Sequence, residues 1–271
     1  MLLAIDVGNT NMVIGVFEGK SPNTQKTGFK GKARRLLQHW RMETKKERTS
    51  DEFGIFFKEL FQFAGLAMDE VEAVIISNVV PQLEFNLERM CERYFKLKPR
   101  FVNSKLKLPF KIGLKTPQEI GADRLVNNAA AILKYGSPLI VVDFGTATTF
   151  DFIDKSKVYR GGCICPGIAI SNEALFQHAS KLPRVEIRKP KKIVGTDTVE
   201  SIQAGIFYGY VGMVDEIVRG VEKERKLKCK VVATGGFIGL ISQASKTIKH
   251  YDPFLTLDGL RLLYETNFLK R

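Results

Sequence analysis

Two stretches decide the fold: Leu2–Phe17, LLAIDVGNTNMVIGVF, and Leu139–Ile153, LIVVDFGTATTFDFI. Each runs an apolar β-type segment into Asp, one apolar residue, Gly and a polar residue, and then into a second β-type segment. Aligned without a gap, Asp6 falls on Asp143, Gly8 on Gly145 and Thr10 on Ala147, with Thr146 and Thr148 alongside. A repeat this widely separated implies two related halves facing each other across a cleft. Tight glycine turns present backbone N–H groups and Thr hydroxyls to an anion, and an aspartate at a strand tip serves a cation. Such an arrangement suits the handling of nucleotide phosphates.

The rest of the composition narrows the class. At 271 residues, with 44% hydrophobic and 26% charged residues, the chain has enough apolar material for one large or two modest globular domains. No apolar run approaches the ~18 residues that a membrane span needs. Met1 leads straight into a β-type segment with no basic leader, which argues against a signal peptide and for a cytoplasmic location. Cys91, Cys163, Cys165 and Cys229 are scattered, as in a reducing compartment. Cys163-x-Cys165 has no second pair and the wrong spacing for a tetrahedral zinc site, so a structural role is expected. The net charge of +13 raises the question of nucleic acid. Much of the excess lies in Lys20–Arg35 and Arg184–Lys192. Neither interleaves aromatics, and both contain Gly or Pro, so they read as solvated loops. Attraction of an anionic substrate such as ATP is the functional alternative.

Outward from the repeats, elements alternate as in an α/β protein. Met12–Phe17 returns as a hairpin strand, and Glu18–Thr44 reads as a long basic loop or hairpin extension. Thr49-x-x-Glu52 has capping-box spacing ahead of an apolar stripe of Phe53, Phe56, Phe57, Leu60, Phe61 and Phe63, a core-facing helix. Val71–Ser77 is a buried strand ended by Asn78–Pro81. A helix over residues 82–94 and a short strand at residues 100–103 follow. Thr116-Pro117-Gln118-Glu119 predicts a helix start, with the helix running to Tyr135 and stopping at Gly136. Residues 138–143 and 158–165 are strands, 169–180 a helix, and Asp197-x-x-Glu200 opens a helix reaching about Lys226. Gly205, Gly209 and Gly212 on that helix permit close approach of another backbone, either a dimer partner or an internal neighbour. Lys228–Ala233 is a strand entering Thr234-Gly235-Gly236, and Leu255–Tyr264 packs back on the domain. The halves are expected to divide into residues 1–115 and 116–271, with the helix after Thr116 bridging them.

Walker A, protein-kinase, dinucleotide-binding and nucleophile-elbow motifs are all absent from the sequence. His39, His178 and His250 sit away from the glycine turns. What remains is a set of aspartates and Gly turns at strand ends. Phosphoryl transfer to an alcohol needs positioning, charge neutralisation and a base for the hydroxyl proton. Asp123 fits the base, because the start of a helix favours its ionised form and Arg124 is its neighbour. A local Asp–Arg surface pair is the plain alternative.

Asp6-Val-Gly-Asn-Thr10, Gly121-Ala-Asp-Arg124, Asp143-Phe-Gly-Thr-Ala-Thr-Thr149, Gly161-Gly162 with Pro166-Gly167, and Thr234-Gly-Gly236 occur in this order. Together they closely resemble the type III pantothenate kinases of bacteria, in the acetate and sugar kinase/Hsp70/actin superfamily, from Met1 to about Leu260. The resemblance implies two ribonuclease H-like domains with an interdomain nucleotide cleft. It implies ATP-dependent phosphorylation of pantothenate, the first step of coenzyme A synthesis, in a homodimer with shared sites. It also implies Mg²⁺ and a monovalent cation, K⁺ or NH₄⁺. By motif, Asp6 would serve Mg²⁺ and the phosphates. Gly8, Asn9, Thr10, Gly145, Thr146, Thr148, Gly235 and Gly236 would hold ATP. Asp123 would be the base, Gly121 and Arg124 would hold pantothenate, and Asp143 would bind the monovalent cation. Thr198 matches a position that reaches the partner's pantothenate. Phe110 stands where the family pattern has a substrate-touching Tyr, and Lys20–Arg35 is longer and more basic than usual. Two other readings compete: a kinase of the same superfamily acting on another small alcohol or on polyphosphate, and a basic, non-enzymatic regulator that binds nucleic acid. The intact Asp6, Asp123 and Asp143 argue against the regulator.

Overall fold

The computed structural model describes residues 1–19 and 34–269. The apolar strands of the first repeat, β1 (Leu2–Val7) and β2 (Asn11–Phe17), form an antiparallel hairpin with register Leu2↔Phe17 to Val7↔Met12. They build a five-stranded sheet with β3 (Leu36–Glu43), β4 (Ala73–Asn78) and β5 (Arg100–Phe101), in the order β3-β2-β1-β4-β5. The β1–β2 and β2–β3 pairs are antiparallel, and β1–β4 and β4–β5 are parallel. Leu3, Ile5, Val7, Val74 and Ile76 alternate onto one face. There they pack with Phe53, Phe57 and Phe61 of α1 (Ser50–Phe63) and Leu87 and Met90 of α2 (Glu84–Met90).

The second repeat builds the same pattern. In chain order its strands are β6 (Lys111–Ile112), β7 (Leu139–Phe144), β8 (Ala147–Ile153), β9 (Val158–Pro166), β10 (Lys230–Gly235) and β11 (His250–Tyr251). Their spatial order is β11-β10-β7-β8-β9-β6. Without β6, this is the order of the first sheet read from the other edge, and the parallel and antiparallel pairings match. Both are the five-strand arrangement of a ribonuclease H-like unit, so the repeat seen in the sequence is one of topology. Ile140, Val142 and Phe144 pack with Phe207, Val214 and Val218 of α5 (Thr198–Arg225). The remaining helices are α3 (Ala122–Tyr135), α4 (Ile168–His178), the short α6 (Ile238–Ile241) and α7 (Leu255–Phe268). Among the described residues no helix is long and apolar enough to cross a membrane.

By internal contacts the chain forms two compact units. The first is Met1–Leu108, Gln118–Asn127 and Thr256–Arg271, and the second is Pro109–Pro117 and Asn128–Leu255. This differs from a single cut after residue 115, because both ends of the sequence contribute to the first sheet's packing. Gly15 of β2 faces Leu257 of α7, and Gly259 lets α7 lie against the Val126 backbone of α3.

Several local expectations change. Of the two readings of Glu18–Thr44, its described end bears out the hairpin extension, with β3 antiparallel to β2. His39, Arg41 and Glu43 point outward while Trp40 and Met42 turn inward, so the period-2 pattern makes β3 despite its charge. Most of Lys20–Arg35 lies outside the described residues. Arg34 is tied to Glu72 at 3.1 Å. The Thr49 cap forms reciprocally with Glu52 as predicted, but Phe63 is 89% exposed and leaves the stripe. Pro117 opens only a 3-10 turn, Pro117–Glu119, and α3 begins at Ala122 after Gly121. Asp197 does cap α5, accepting from the Glu200 N–H at 2.8 Å. Glu200 does not reciprocate; its carboxylate takes the Thr196 N–H and hydroxyl instead.

Candidate active site

The candidate residues fall into two groups, one in each unit. In the first unit, Asp6 is the next-to-last residue of β1, partly exposed, where the apolar strand meets its turn. Gly8 donates its N–H to the Asn11 carbonyl at 3.0 Å, and its own carbonyl accepts the Thr44 hydroxyl at 2.7 Å. The Thr10 carbonyl takes the Thr44 N–H at 2.9 Å. Thr44, just beyond β3, thus fixes the loop from both ends and leaves Asn9 and Thr10 exposed at its tip. A Cβ on Gly8 would sit 3.0 Å from the Asn11 oxygen, so the turn tolerates no side chain there without yielding.

Asp123 lies in the first turn of α3, closer to the helix N-terminus than the sequence predicts. The positive end of the helix dipole acts most strongly at that place. Its Oδ1 accepts the Arg124 N–H at 2.7 Å. Gly121 starts the helix by accepting the Leu125 N–H at 3.2 Å. A Cβ on Gly121 would collide with Asp123 Oδ1 and would stand 3.6 Å from Val79 Cγ1. The bare Gly121 therefore leaves the room that the Asp123 carboxylate occupies; a side chain there would push that carboxylate to another position. Asp6 and Asp123, widely separated in sequence, belong to one packed unit.

In the second unit, Asp143 occupies the place on β7 that Asp6 has on β1, and it too is partly exposed. The turns differ by one residue. Val7 pairs with Met12, whereas Phe144 pairs with Thr148. The structural equivalent of Thr148 is thus Met12, which a gapless alignment misplaces. Thr148 is fully buried where the first unit has a core methionine, and its hydroxyl has no partner among the described residues. Thr146 and Gly145 are exposed on the turn, and a Cβ on Gly167 would strike both of their carbonyls. Gly235, with φ +99°, closes over Asp143: its Cβ position is 2.6 Å from Asp143 Oδ1 and 2.6 Å from the Phe144 N. Gly236 donates to the Phe144 carbonyl at 3.1 Å. Asp143, Gly145, Gly235 and Gly236 are therefore one cluster.

Phe110 and Thr198 are not drawn into that cluster. Phe110 is buried beside β6, edge-on to Tyr159 at 6.3 Å between ring centres, and Tyr159 donates to the buried Asp151 at 2.6 Å. Thr198 opens α5 and lines a hollow of about 610 Å³ with Gly195, Asp197, Leu175 and Ile202, a hollow that no other candidate lines.

The donor set suits phosphates and a divalent cation. In each unit a glycine turn carries exposed polar side chains that can donate to an anion, Asn9 and Thr10 in the first and Thr146 in the second. Among the described residues no three His, Cys, Asp or Glu side chains gather into a protein cage. Lone carboxylates beside a phosphate turn are what Mg²⁺ uses, since it keeps waters and takes its remaining ligands from phosphate oxygens. The sequence reading missed Ser77, a buried hydroxyl in register with Asp6. Its only signal was a polar residue closing the apolar run VEAVIIS.

Comparison with known proteins agrees with this geometry. The family model described as type III pantothenate kinase matches residues 2–220. A type III pantothenate kinase of Myxococcus xanthus is 52% identical over 267 residues, which is 98% of this chain and 99% of that one. Among solved structures, a Sinorhizobium meliloti protein provisionally named 2-dehydro-3-deoxygalactonokinase aligns with TM-score 0.60 at 9% identity, covering 100% of this chain and 98% of that one. A Campylobacter jejuni protein provisionally named a Baf family transcriptional activator aligns with TM-score 0.58 at 18% identity, covering 97% of each chain. At those identities the two structures speak for a shared fold alone. The family model and the Myxococcus relative carry the assignment: this chain belongs to the type III pantothenate kinase family.

Proposed function

We propose that the protein carries out the family's reaction, transfer of the ATP γ-phosphoryl group to the terminal hydroxyl of pantothenate, with the two turns and α3 dividing the work. The observation that carries this reading is the seating of Asp123. It lies in the first turn of α3 with its Oδ1 in the space that the bare Gly121 leaves open, in the same unit as the Asp6 turn. Asp123 accepts the hydroxyl proton as the substrate oxygen bonds to the γ-phosphorus and ADP leaves. Gly121 and Arg124 hold pantothenate, with Arg124 suited to its carboxylate. Asn9, Thr10, Thr146 and Thr148 hold the phosphates on the turns that Gly8 and Gly145 shape, and Gly235 and Gly236 let the nucleotide pass over bare backbone. Asp6 would hold Mg²⁺, which neutralises phosphate charge when bound.

Two finer points belong to the same proposal. Asp143, under Gly235, binds a monovalent cation, K⁺ or NH₄⁺. The enzyme is a cytoplasmic homodimer in which Thr198 reaches the partner's pantothenate. Support for the dimer comes from the exposed Val199, Leu175, Phe176, Ile193 and Val194 and from the bare glycine face of α5. Phe110 would border the acceptor site without the hydroxyl of a tyrosine. Purified protein with ATP, Mg²⁺, K⁺ and pantothenate is expected to release ADP and phosphopantothenate in equal amounts, with turnover depressed when Na⁺ replaces K⁺. ADP formation independent of pantothenate would refute the acceptor. Equal turnover in Na⁺ would refute the cation role of Asp143.

A further inference from the structure

Ser77 carries a polar group whose position is otherwise unexplained. It is wholly buried near the end of β4, and its Oγ has no hydrogen-bond partner among the described residues. Buried hydroxyls are nearly always paired, and an unpaired one costs stability that alanine would not. A purely packing role is served equally well by Ala, so the hydroxyl points to a partner beyond the hydrogen bonds of the described residues.

The register identifies the neighbourhood. Ser77 is the parallel partner of Asp6, and paired residues on adjacent parallel strands project to the same face about 4.8 Å apart. That face is opposite the one where Val74 and Ile76 enter the α1–α2 core. Two residues on, Val79 meets Gly121, which in turn abuts Asp123. Ser77 therefore lies beside the Asp6 strand end, on the same face and screened from solvent.

We propose that Ser77 is a positioning residue for Asp6: when Mg²⁺ and nucleotide are bound, its hydroxyl donates to the Asp6 carboxylate and fixes which oxygen faces the metal. The inference rests on the kinase reading for the role of Asp6. Outer hydrogen bonds of this kind orient ligating carboxylates, and their loss typically weakens metal binding about 10- to 100-fold. Ser77 is given no contact with pantothenate.

Two variants test it. Ser77→Ala removes the hydroxyl, and Ser77→Thr keeps it while adding a methyl to a filled site. Mn²⁺ is titrated into the protein–ADP complex and followed by electron paramagnetic resonance. Melting temperature and the pantothenate KM are measured alongside. Ser77→Ala is expected to keep or raise the melting temperature, to weaken Mn²⁺ binding about tenfold or more, and to leave the pantothenate KM within about twofold. Ser77→Thr is expected to melt lower yet bind Mn²⁺ as the wild type does; should it fail to fold, Ser77→Ala alone decides. The idea is overturned by a Ser77→Ala protein whose Mn²⁺ affinity stays within about twofold of wild type, by a fall in its melting temperature, or by a shift confined to pantothenate. The Mn²⁺–ADP measurement needs no acceptor. A wild-type protein that binds Mn²⁺–ADP but does not phosphorylate pantothenate would therefore sink the acceptor assignment and leave the Ser77 result standing.

Discussion

Asp123 shows how narrowly a single residue is specified. Its Oδ1 occupies the space that a side chain on Gly121 would need, and its backbone position puts the carboxylate in the first turn of α3. A base in that position contributes about 10²- to 10⁴-fold to proton transfer. Asp123→Asn should therefore lower kcat by at least about 100-fold while ATP still binds with near-normal affinity, as measured by calorimetry alongside single-turnover assays. Turnover near the wild-type level would remove Asp123 from the base role. The duplicated turn brought Asp6 and Asp143 forward in the sequence, whereas Asp123 stood out only by its place at a helix start beside Arg124 and by its motif. The sequence could not make Ser77 legible, because a serine closing a strand is ordinary until its strand partner is known. Thr148 was named from its motif, but its burial and its equivalence to Met12 needed the one-residue difference between the turns.

At the scale of elements, caps and breaks decided where the functional residues landed. The Thr49 box and the Gly136 stop, with φ +76°, follow local chemistry and were readable directly. The α3 boundary was not, since Pro117 and Glu119 open a turn that ends before Gly121, and only packing against Val79 shows where the helix resumes. Helix α5 is anchored in a way that no motif announces. The Asp215 carboxylate accepts the Ser245 hydroxyl at 2.6 Å, the Lys246 N–H at 3.0 Å, and the Thr247 N–H and hydroxyl at 3.1 and 2.8 Å. Burial pushes its pKa up, but the hydrogen bonds from Ser245, Lys246 and Thr247 together outweigh it and hold the carboxyl below its ordinary 3.8. A pKa lower in the folded than in the unfolded chain adds stability that is complete above the unfolded value. That stability drains away as pH falls through the folded value. Asp215→Ala should cost about 3 kcal/mol near neutral pH, because several donors lose their acceptor at once. In denaturant titrations its curve should converge on the wild-type curve as the pH drops below about 4. A gap that stays constant down to the acid limit would show that the carboxylate's charge is not what matters.

At the scale of the whole molecule, the exposed face of α5 is the feature a lone chain does not explain. Gly205, Gly209 and Gly212 are exposed, and a Cβ on any of them would meet nothing within 4 Å. Glycine inside a helix costs about 0.5–1 kcal/mol relative to alanine, so a solvated helix face gains nothing from three of them. A second copy approaching closely would. Gly209→Arg should leave the chain folded by circular dichroism, since the site is open. Sedimentation should then find the 30.5 kDa monomer, and on the proposal that Thr198 serves the partner's site, turnover should fall at least about tenfold. A dimer that survives Gly209→Arg would move the interface elsewhere.

The sequence by itself determined the duplicated β-Asp-Gly units, the α/β class and the family, because those depend on local patterns of apolar strands, glycine turns and motif order. Only the tertiary structure decided which residues share a unit. It returned both α7 and the start of α3 to the first sheet, lengthened the first turn relative to the second, and set Ser77 beside Asp6. The physical reason is that register and packing join residues far apart in the chain, and pairwise geometry of that kind leaves no trace in local periodicity.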